Sequence, residues 1–251
     1  MEPALGVLSL YRRIGRTYFA WARSLLPLAC LVFVPLGLVH AIPVHYDATQ
    51  LDAGSGFALV GLLLAILLLT GAGLLGEVFY TGAVAIALTH PDGGDGRPPT
   101  LLQVVRMVRY PTLIAIDILF GVLVALGLVA LVVPGVLLFV YLGLAAPVAE
   151  IEHHGWRDAF RRSYRLVRGH FWLVFAVLVP IELVSDALTD LATSGAHSLL
   201  GDSLIAAWLT DTASNIVLTP FYAVAAVLLT LDLIAARDGA APALHSPPTN
   251  R

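Results

Sequence analysis

Four acidic residues inside long apolar stretches are the first side chains that could do chemistry: Glu77, Asp117, Glu182 and Asp186. An ionisable side chain at the centre of a membrane helix costs about 2.5 to 3.5 kcal/mol on insertion scales, so each needs a physical reason. Together they could line a polar cavity, relay ions or protons, or bind a headgroup. The alternative is structural: they bond to Thr, Tyr or backbone groups that proline and glycine breaks release.

A second group of polar residues follows the fourth apolar stretch, where Glu150 and Glu152 precede two histidines and an arginine-rich segment. We expect salt bridges to Arg161 or Arg162 here and no metal site, because adjacent residues seldom present ligands to one ion. The sequence contains no GxSxG elbow and no Walker-type glycine loop. We therefore predict no catalytic residue, no cofactor and no enzymatic activity.

All 14 basic residues are arginines, a bias typical of GC-rich bacterial genomes. On a helical wheel the segment 155–169 separates its arginines from its aromatic and aliphatic side chains, and the segment 6–22 repeats this pattern. Such helices lie in the membrane interface, where each arginine gains about 1 kcal/mol from anionic headgroups. The arginines predicted to contact lipid or a partner are Arg157, Arg161, Arg162, Arg165, Arg168, Arg12, Arg13 and Arg16.

These side chains must be positioned by membrane helices, because 59% of the residues are hydrophobic and only 12% are charged. A span needs about 20 predominantly apolar residues. This length predicts an all-α, polytopic membrane protein with six transmembrane helices. The spans are expected at about 25–42, 57–88, 111–133, 135–149, 171–191 and 213–236. The main alternative merges the third and fourth spans, or makes them re-entrant, at the Pro134-Gly135 break.

The arginines also predict orientation, because they fall only before the first span, after the second, after the fourth and after the sixth. Cytoplasmic loops of bacterial membrane proteins accumulate positive charge. We therefore expect a multi-pass protein of the bacterial cytoplasmic membrane with both termini cytoplasmic, and an uncleaved first span rather than a signal peptide. Residues 1–238 are expected to form one domain, and 239–251 a disordered tail. The net charge of −3 argues against nucleic acid as a partner.

The basic segments also mark an internal repeat. Three arginines are each followed twelve residues later by a helix-loosening residue: Arg23 by Pro35, Arg109 by Gly121, and Arg168 by Pro180. With a weaker basic segment at 99–110, this spacing predicts three units of interfacial helix, span, span. Coincidence in a chain rich in these residue types is the alternative.

The stretch from Leu144 to Val177 resembles the central motif of the bacterial glycerophosphoryl diester phosphodiesterase membrane-domain family. The positions that carry this resemblance are Pro147, Glu150, Gly155, Ala159, Arg162, Ser163, Leu166, Val167 and Gly169. The resemblance implies a helical membrane module that precedes a phosphodiesterase domain in some relatives and stands alone in many others. Pro147, Glu150, Arg162, Ser163 and Gly169 would then be structural residues of that motif.

These observations favour a non-catalytic membrane module at the inner leaflet. Its expected role is to bind or organise anionic lipid or a partner membrane protein. The alternative hypothesis is a small transporter or lipid translocator, which the intramembrane acidic residues and the proline and glycine breaks within a repeat would suit.

Overall fold

The computed structural model describes residues 6–45, 76–89, 99–200, 204–239 and 244. This part of the chain is all-helical, without a strand. Its helices in chain order are α1 (Val7–His45), α2 (Glu77–Thr89), α3 (Leu101–Met107), α4 (Tyr110–Ala130), α5 (Val132–Leu142), α6 (Ala145–Ile151), α7 (Trp156–Val167), α8 (Phe171–Leu200) and α9 (Leu204–Asp238).

The described residues contain five helical stretches that are long and apolar enough to cross a membrane. These are Val7–Gly37, Tyr110–Ala130, Val132–Ile151, Phe171–Ala196 and Trp208–Asp238. The described part of the chain is therefore all-helical, and its apolar helices indicate a multi-pass membrane protein. The second predicted span, 57–88, is described only in its last part, where α2 is a shorter apolar helix. The rest of that span and most of the predicted tail at 239–251 lie outside the described residues.

The first helix differs from the sequence prediction, which separated an interfacial segment, 6–22, from a span at 25–42. The structure has one continuous helix of 39 residues, about 58 Å long at 1.5 Å per residue. Arg23 marked the predicted boundary, but a charged side chain on a helix surface breaks no backbone hydrogen bond. The apolar stripe of the N-terminal part packs inward instead, with Ile14 and Trp21 buried in the protein core.

The third and fourth predicted spans form a helical hairpin that turns at Leu131, whose backbone is extended (φ −168°, ψ 145°). The sequence placed this turn at Pro134-Gly135. Pro134 instead lies in the first turn of α5, where the missing N–H of a proline costs no helical hydrogen bond. The returning segment is also divided, because α5 ends at Leu142 and α6 begins at Ala145.

The last helix lies at the centre of the bundle and packs against α1, α2 and α8. Residues 222–231 of α9 are all buried. Ala223, Ala225 and Ala226 belong to this stretch, and small side chains let neighbouring membrane helices approach closely. Both long helices exceed their predicted spans: α8 continues past 191 to Leu200, and α9 begins at Leu204 rather than near 213.

A tyrosine of α1 supplies a donor that a proline removes from α8. Pro180 has no N–H for the carbonyl of Ala176, four residues earlier. The Tyr11 hydroxyl donates to that carbonyl at 3.0 Å and to the Val177 carbonyl at 3.2 Å. Without such a donor, a carbonyl in the bilayer interior would remain unsatisfied.

A second tyrosine of α1 bonds to α9 near its interior proline. The Tyr18 hydroxyl donates to the Val217 carbonyl at 3.1 Å, in the turn that precedes Pro220. The Tyr18 ring also contacts Phe221, with a centroid distance of 5.8 Å. The carbonyl that Pro220 leaves without its helical N–H is that of Ile216, four residues earlier. Of the two tyrosine hydroxyls, only that of Tyr11 therefore takes the place of an N–H that an interior proline removes.

Replacing Tyr11 with phenylalanine is expected to lower the free energy of unfolding by about 1 kcal/mol, because the Ala176 carbonyl loses its donor. Unfolding in mixed micelles of dodecyl maltoside and SDS measures the change. The control is Pro180→Ala, which restores the backbone N–H that can bond to the Ala176 carbonyl within α8. In that background, Tyr11→Phe should lower the free energy of unfolding by markedly less. An equal cost in both backgrounds would show that the hydroxyl does not compensate for the proline.

Candidate functional site

Arginines from four parts of the chain meet at one end of the molecule, which we call the basic end. Arg13 Nη2 lies 2.6 Å from Asp232 Oδ2, towards the end of α9. Arg237 Nη1 donates to the Arg165 carbonyl at 2.6 Å, which joins the end of α9 to α7. Arg109 Nη1 donates at 3.0 Å to a carbonyl in the turn before α7. The residues that define the basic end are Arg13, Arg109, Arg162, Arg165 and Arg237.

Helix α7 lies at the basic end with one face against the bundle. Its buried side chains are Ala159, Ser163, Leu166 and Val167. Its other face exposes Arg157, Arg161 and Arg165, and Arg168 follows in the exposed turn. Tyr164, which the helical wheel places with the apolar side chains, is 44% exposed. The exposed face therefore combines positive charge with an aromatic ring, as interfacial helices do.

Arg162 differs from the other arginines of α7, because its side chain is only 13% exposed and points to acidic partners. Arg162 Nη2 lies 2.7 Å from Glu152 Oε1 and also pairs with Asp238. The bond to Glu152 confirms the predicted salt bridge and raises the pKa of Arg162 above its ordinary value. Arg162 thus ties the turn before α7 to the end of α9, and its predicted contact with lipid or a partner stays a prediction.

The remaining residues of the family-like motif occupy structural positions. The Ser163 hydroxyl donates to the Tyr141 carbonyl at 2.7 Å, beside the interruption between α5 and α6. Glu150 is buried and accepts a bond of 3.4 Å from a backbone N–H at the start of α4. Pro147 is buried within α6, whereas Gly169 is exposed in the turn before α8.

The three N-terminal arginines are all exposed, and one of them is paired with an acidic residue. Arg12 and Arg16 are exposed on α1. Arg13 is bound to Asp232, whose side chain is 16% exposed. The Arg13 side chain is itself 44% exposed, so all three of these arginines lie on the surface.

The predicted intramembrane acids lie within electrostatic range of one of their number, Glu77. Glu77, the first residue of α2, lies close enough to interact electrostatically with Asp117, Glu182 and Asp186. Asp211 joins the same cluster. The sequence prediction missed Asp211 because it placed the sixth span from 213, outside this residue. Among the described residues, no group of three acidic, histidine or cysteine side chains is arranged to hold a metal ion.

Asp117 has a structural contact within this cluster. Its Oδ2 accepts a hydrogen bond of 2.7 Å from the backbone N–H of Gly76, directly before α2. Gly76 has a positive φ of 91°, which places it at a turn rather than in a helix. A carboxylate at a helix N-terminus is stabilised by the helix dipole. The sequence left open a functional and a structural role for these acids. For Asp117 the structure favours the structural role, because its carboxylate accepts a bond from a backbone N–H at a glycine.

Two features of the described residues stand out as candidate sites: the exposed arginine face of α7 and the acidic cluster around Glu77.

The resemblance of Leu144 to Val177 to a phosphodiesterase membrane-domain family stays a prediction. No family model, curated protein or solved structure matches the chain.

Proposed function

We propose that the protein is a non-catalytic membrane module whose basic end binds anionic lipid headgroups at the inner leaflet of a bacterial cytoplasmic membrane. The observation that carries this proposal is the exposed face of α7, where Arg157, Arg161 and Arg165 extend away from a bundle of apolar helices. Juxtamembrane arginines gain about 1 kcal/mol each from an anionic leaflet. Three of them acting together would give the protein a clear preference for anionic lipid.

The proposal includes six crossings with both termini on the cytoplasmic side. Helix α1 leaves the basic end, and α2 packs against α3 and α6, which adjoin that end. A return of the chain through 57–88 would connect them. Hairpins α4/α5 and α8/α9 also begin and finish at the basic end, as three units of two spans require.

Lipid enrichment around the purified protein tests the proposal. Native nanodiscs cut from bacterial membranes with a styrene–maleic acid copolymer retain the neighbouring lipids. We expect phosphatidylglycerol and cardiolipin to be enriched about twofold over the bulk membrane. Replacing Arg157, Arg161 and Arg165 together with glutamine should return the lipid composition to that of the bulk.

The matched control replaces the same three arginines with lysine. Lysine keeps the positive charge, so most of the enrichment should remain. The proposal fails if the wild-type protein shows no preference for anionic lipid, or if the glutamine variant retains it. Specific recovery of one membrane protein that depends on these arginines, without lipid enrichment, would instead identify a protein partner.

A second candidate function is transport of a cation or proton, favoured by the convergence of Glu77, Asp117 and Glu182 within apolar helices. Ionisable groups inside membrane bundles commonly mark ion or proton pathways. Reconstituted vesicles under an imposed pH or sodium gradient would show flux that Glu182→Gln abolishes. Asp158→Asn, at the exposed surface of α7, is the control that should leave the flux unchanged. Wild-type vesicles as tight as empty ones would exclude this function.

A further inference from the structure

An open groove of about 560 Å³ runs between α7 and the end of α5. The side chains that line the groove are Leu142, Asp158, Phe160, Arg161, Tyr164 and Arg165. The lining therefore combines two arginines with apolar and aromatic side chains, and Asp158 is its one carboxylate. This combination matches a molecule with an anionic head and a hydrocarbon body.

The groove lies beside a cluster of aromatic rings. The Tyr164 ring is 4.9 Å from the Tyr141 ring, which in turn is 5.3 Å from Phe171. Trp172 contacts Phe171 at 5.4 Å and is 75% exposed. Tyr and Trp concentrate at the level of lipid headgroups. From this preference we expect the groove at the level where the headgroup and the upper acyl chain of a phospholipid meet.

The charges of the groove are poorly compensated within the protein. Arg161 and Arg165 are four residues apart on α7 and so share one helix face, an arrangement that is unfavourable for like charges. Arg161 has one acidic neighbour, Asp158, at 3.9 Å, and both side chains are highly exposed. Such surface pairs contribute little. Arg165 forms no ion pair with any carboxylate in the described part of the chain.

We propose that this groove is a specific site for one anionic glycerophospholipid molecule. Its phosphate would lie between the guanidinium groups of Arg161 and Arg165, since two planar donors can share the oxygens of one phosphate. The hydroxyl of Tyr164 would donate to the headgroup, and an acyl chain would pack against Leu142 and Phe160. This site rests on the proposed lipid-binding function and adds stoichiometry and position to it.

The proposal distinguishes two pairs of arginines that carry the same charge. Arg161 and Arg165 line the groove, whereas Arg157 and Arg168 are exposed on or just after the same helix but outside it. Diffuse attraction to an anionic leaflet would depend on both pairs alike. A specific site depends on the first pair only.

Native mass spectrometry of the full chain tests this difference. The protein is released from detergent micelles to which equal amounts of phosphatidylglycerol and phosphatidylcholine were added. We expect the wild-type protein to retain one phosphatidylglycerol in excess over phosphatidylcholine. Replacing Arg161 and Arg165 with glutamine should reduce that occupancy at least tenfold, whereas the Arg157→Gln/Arg168→Gln variant should keep it. A Phe160→Asp variant, with both arginines intact, should also lose the retained lipid.

The outcomes separate the site from the general function. Equal losses in the two glutamine variants would overturn the site and leave the proposed attraction to anionic lipid standing. Retention of phosphatidylglycerol and phosphatidylcholine in equal amounts by the wild-type protein would overturn both. Displacement of the retained lipid by millimolar inorganic phosphate would show that the arginines bind a free anion, and would also overturn a lipid site. A thermal unfolding curve for each variant checks that it is folded before it is compared.

Discussion

Replacing Gly127 with alanine is expected to destabilise the protein by about 1 to 3 kcal/mol, the usual cost of overpacking a tightly packed contact. A Cβ atom at this position would lie 2.8 Å from the Cα and 2.9 Å from the backbone nitrogen of Gly135. Both atoms belong to the main chain of α5, so no side-chain rotation can relieve the clash. The α4/α5 hairpin would have to open, which would also disturb the packing of α7 on its returning arm.

A second glycine provides the control for this prediction. An added Cβ at Gly15 of α1 meets no heavy atom within 4 Å. Alanine stabilises a helix interior by up to about 1 kcal/mol relative to glycine. Gly15→Ala should therefore be neutral or stabilising in the same SDS unfolding assay. If Gly127→Ala were as stable as Gly15→Ala, the two helices of the hairpin would not approach each other as closely as the structure shows.

Much of this fold follows from hydropathy and from proline, because those features act locally. The apolar stretches predicted at 111–133 and 171–191 correspond to α4 and α8. The charge pattern of 155–169 corresponds to α7, whose exposed and buried faces follow the helical period. A salt bridge from Glu150 or Glu152 to Arg161 or Arg162 was also predicted, and the structure has Glu152 bonded to Arg162.

Other features depend on tertiary contacts that a local pattern does not contain. Arg162 has the same residue type and spacing as its neighbours on α7, and only the position of Asp238 on a distant helix turns it inward. The donor for the carbonyl that Pro180 leaves without an N–H comes from Tyr11 of α1, more than 150 residues away in the chain. The start of α9 was also misplaced. Hydropathy alone begins this helix near 213, whereas in the structure it already includes the more polar segment around Asp211.

Replacing Arg162 with glutamine is expected to lower the free energy of unfolding by about 2 to 3 kcal/mol. Breaking a fully buried ion pair costs about 3 to 5 kcal/mol, mainly because the remaining charge is left without a partner. The pair here is less enclosed: the side chains of Glu152 and Asp238 are 19% and 44% exposed, so solvent screens part of that cost. The lost bonds join the turn before α7 to the end of α9, so limited proteolysis should cut that turn faster in the variant.

Two further variants make this prediction specific. Arg161→Gln removes the same charge from the same helix, but Arg161 is 78% exposed and its acidic neighbour is 3.9 Å away, so the loss should stay below about 0.5 kcal/mol. Combining Arg162→Gln with Glu152→Gln removes the stranded carboxylate and should recover about 1 kcal/mol of the loss. Equal losses for Arg161→Gln and Arg162→Gln would show that net charge, rather than the pairing with Glu152 and Asp238, holds α7 against α9. The lipid groove uses Arg161 and Arg165. A large loss of stability that is confined to Arg162→Gln would therefore also show that the residue anchoring α7 differs from the residues proposed to bind the headgroup.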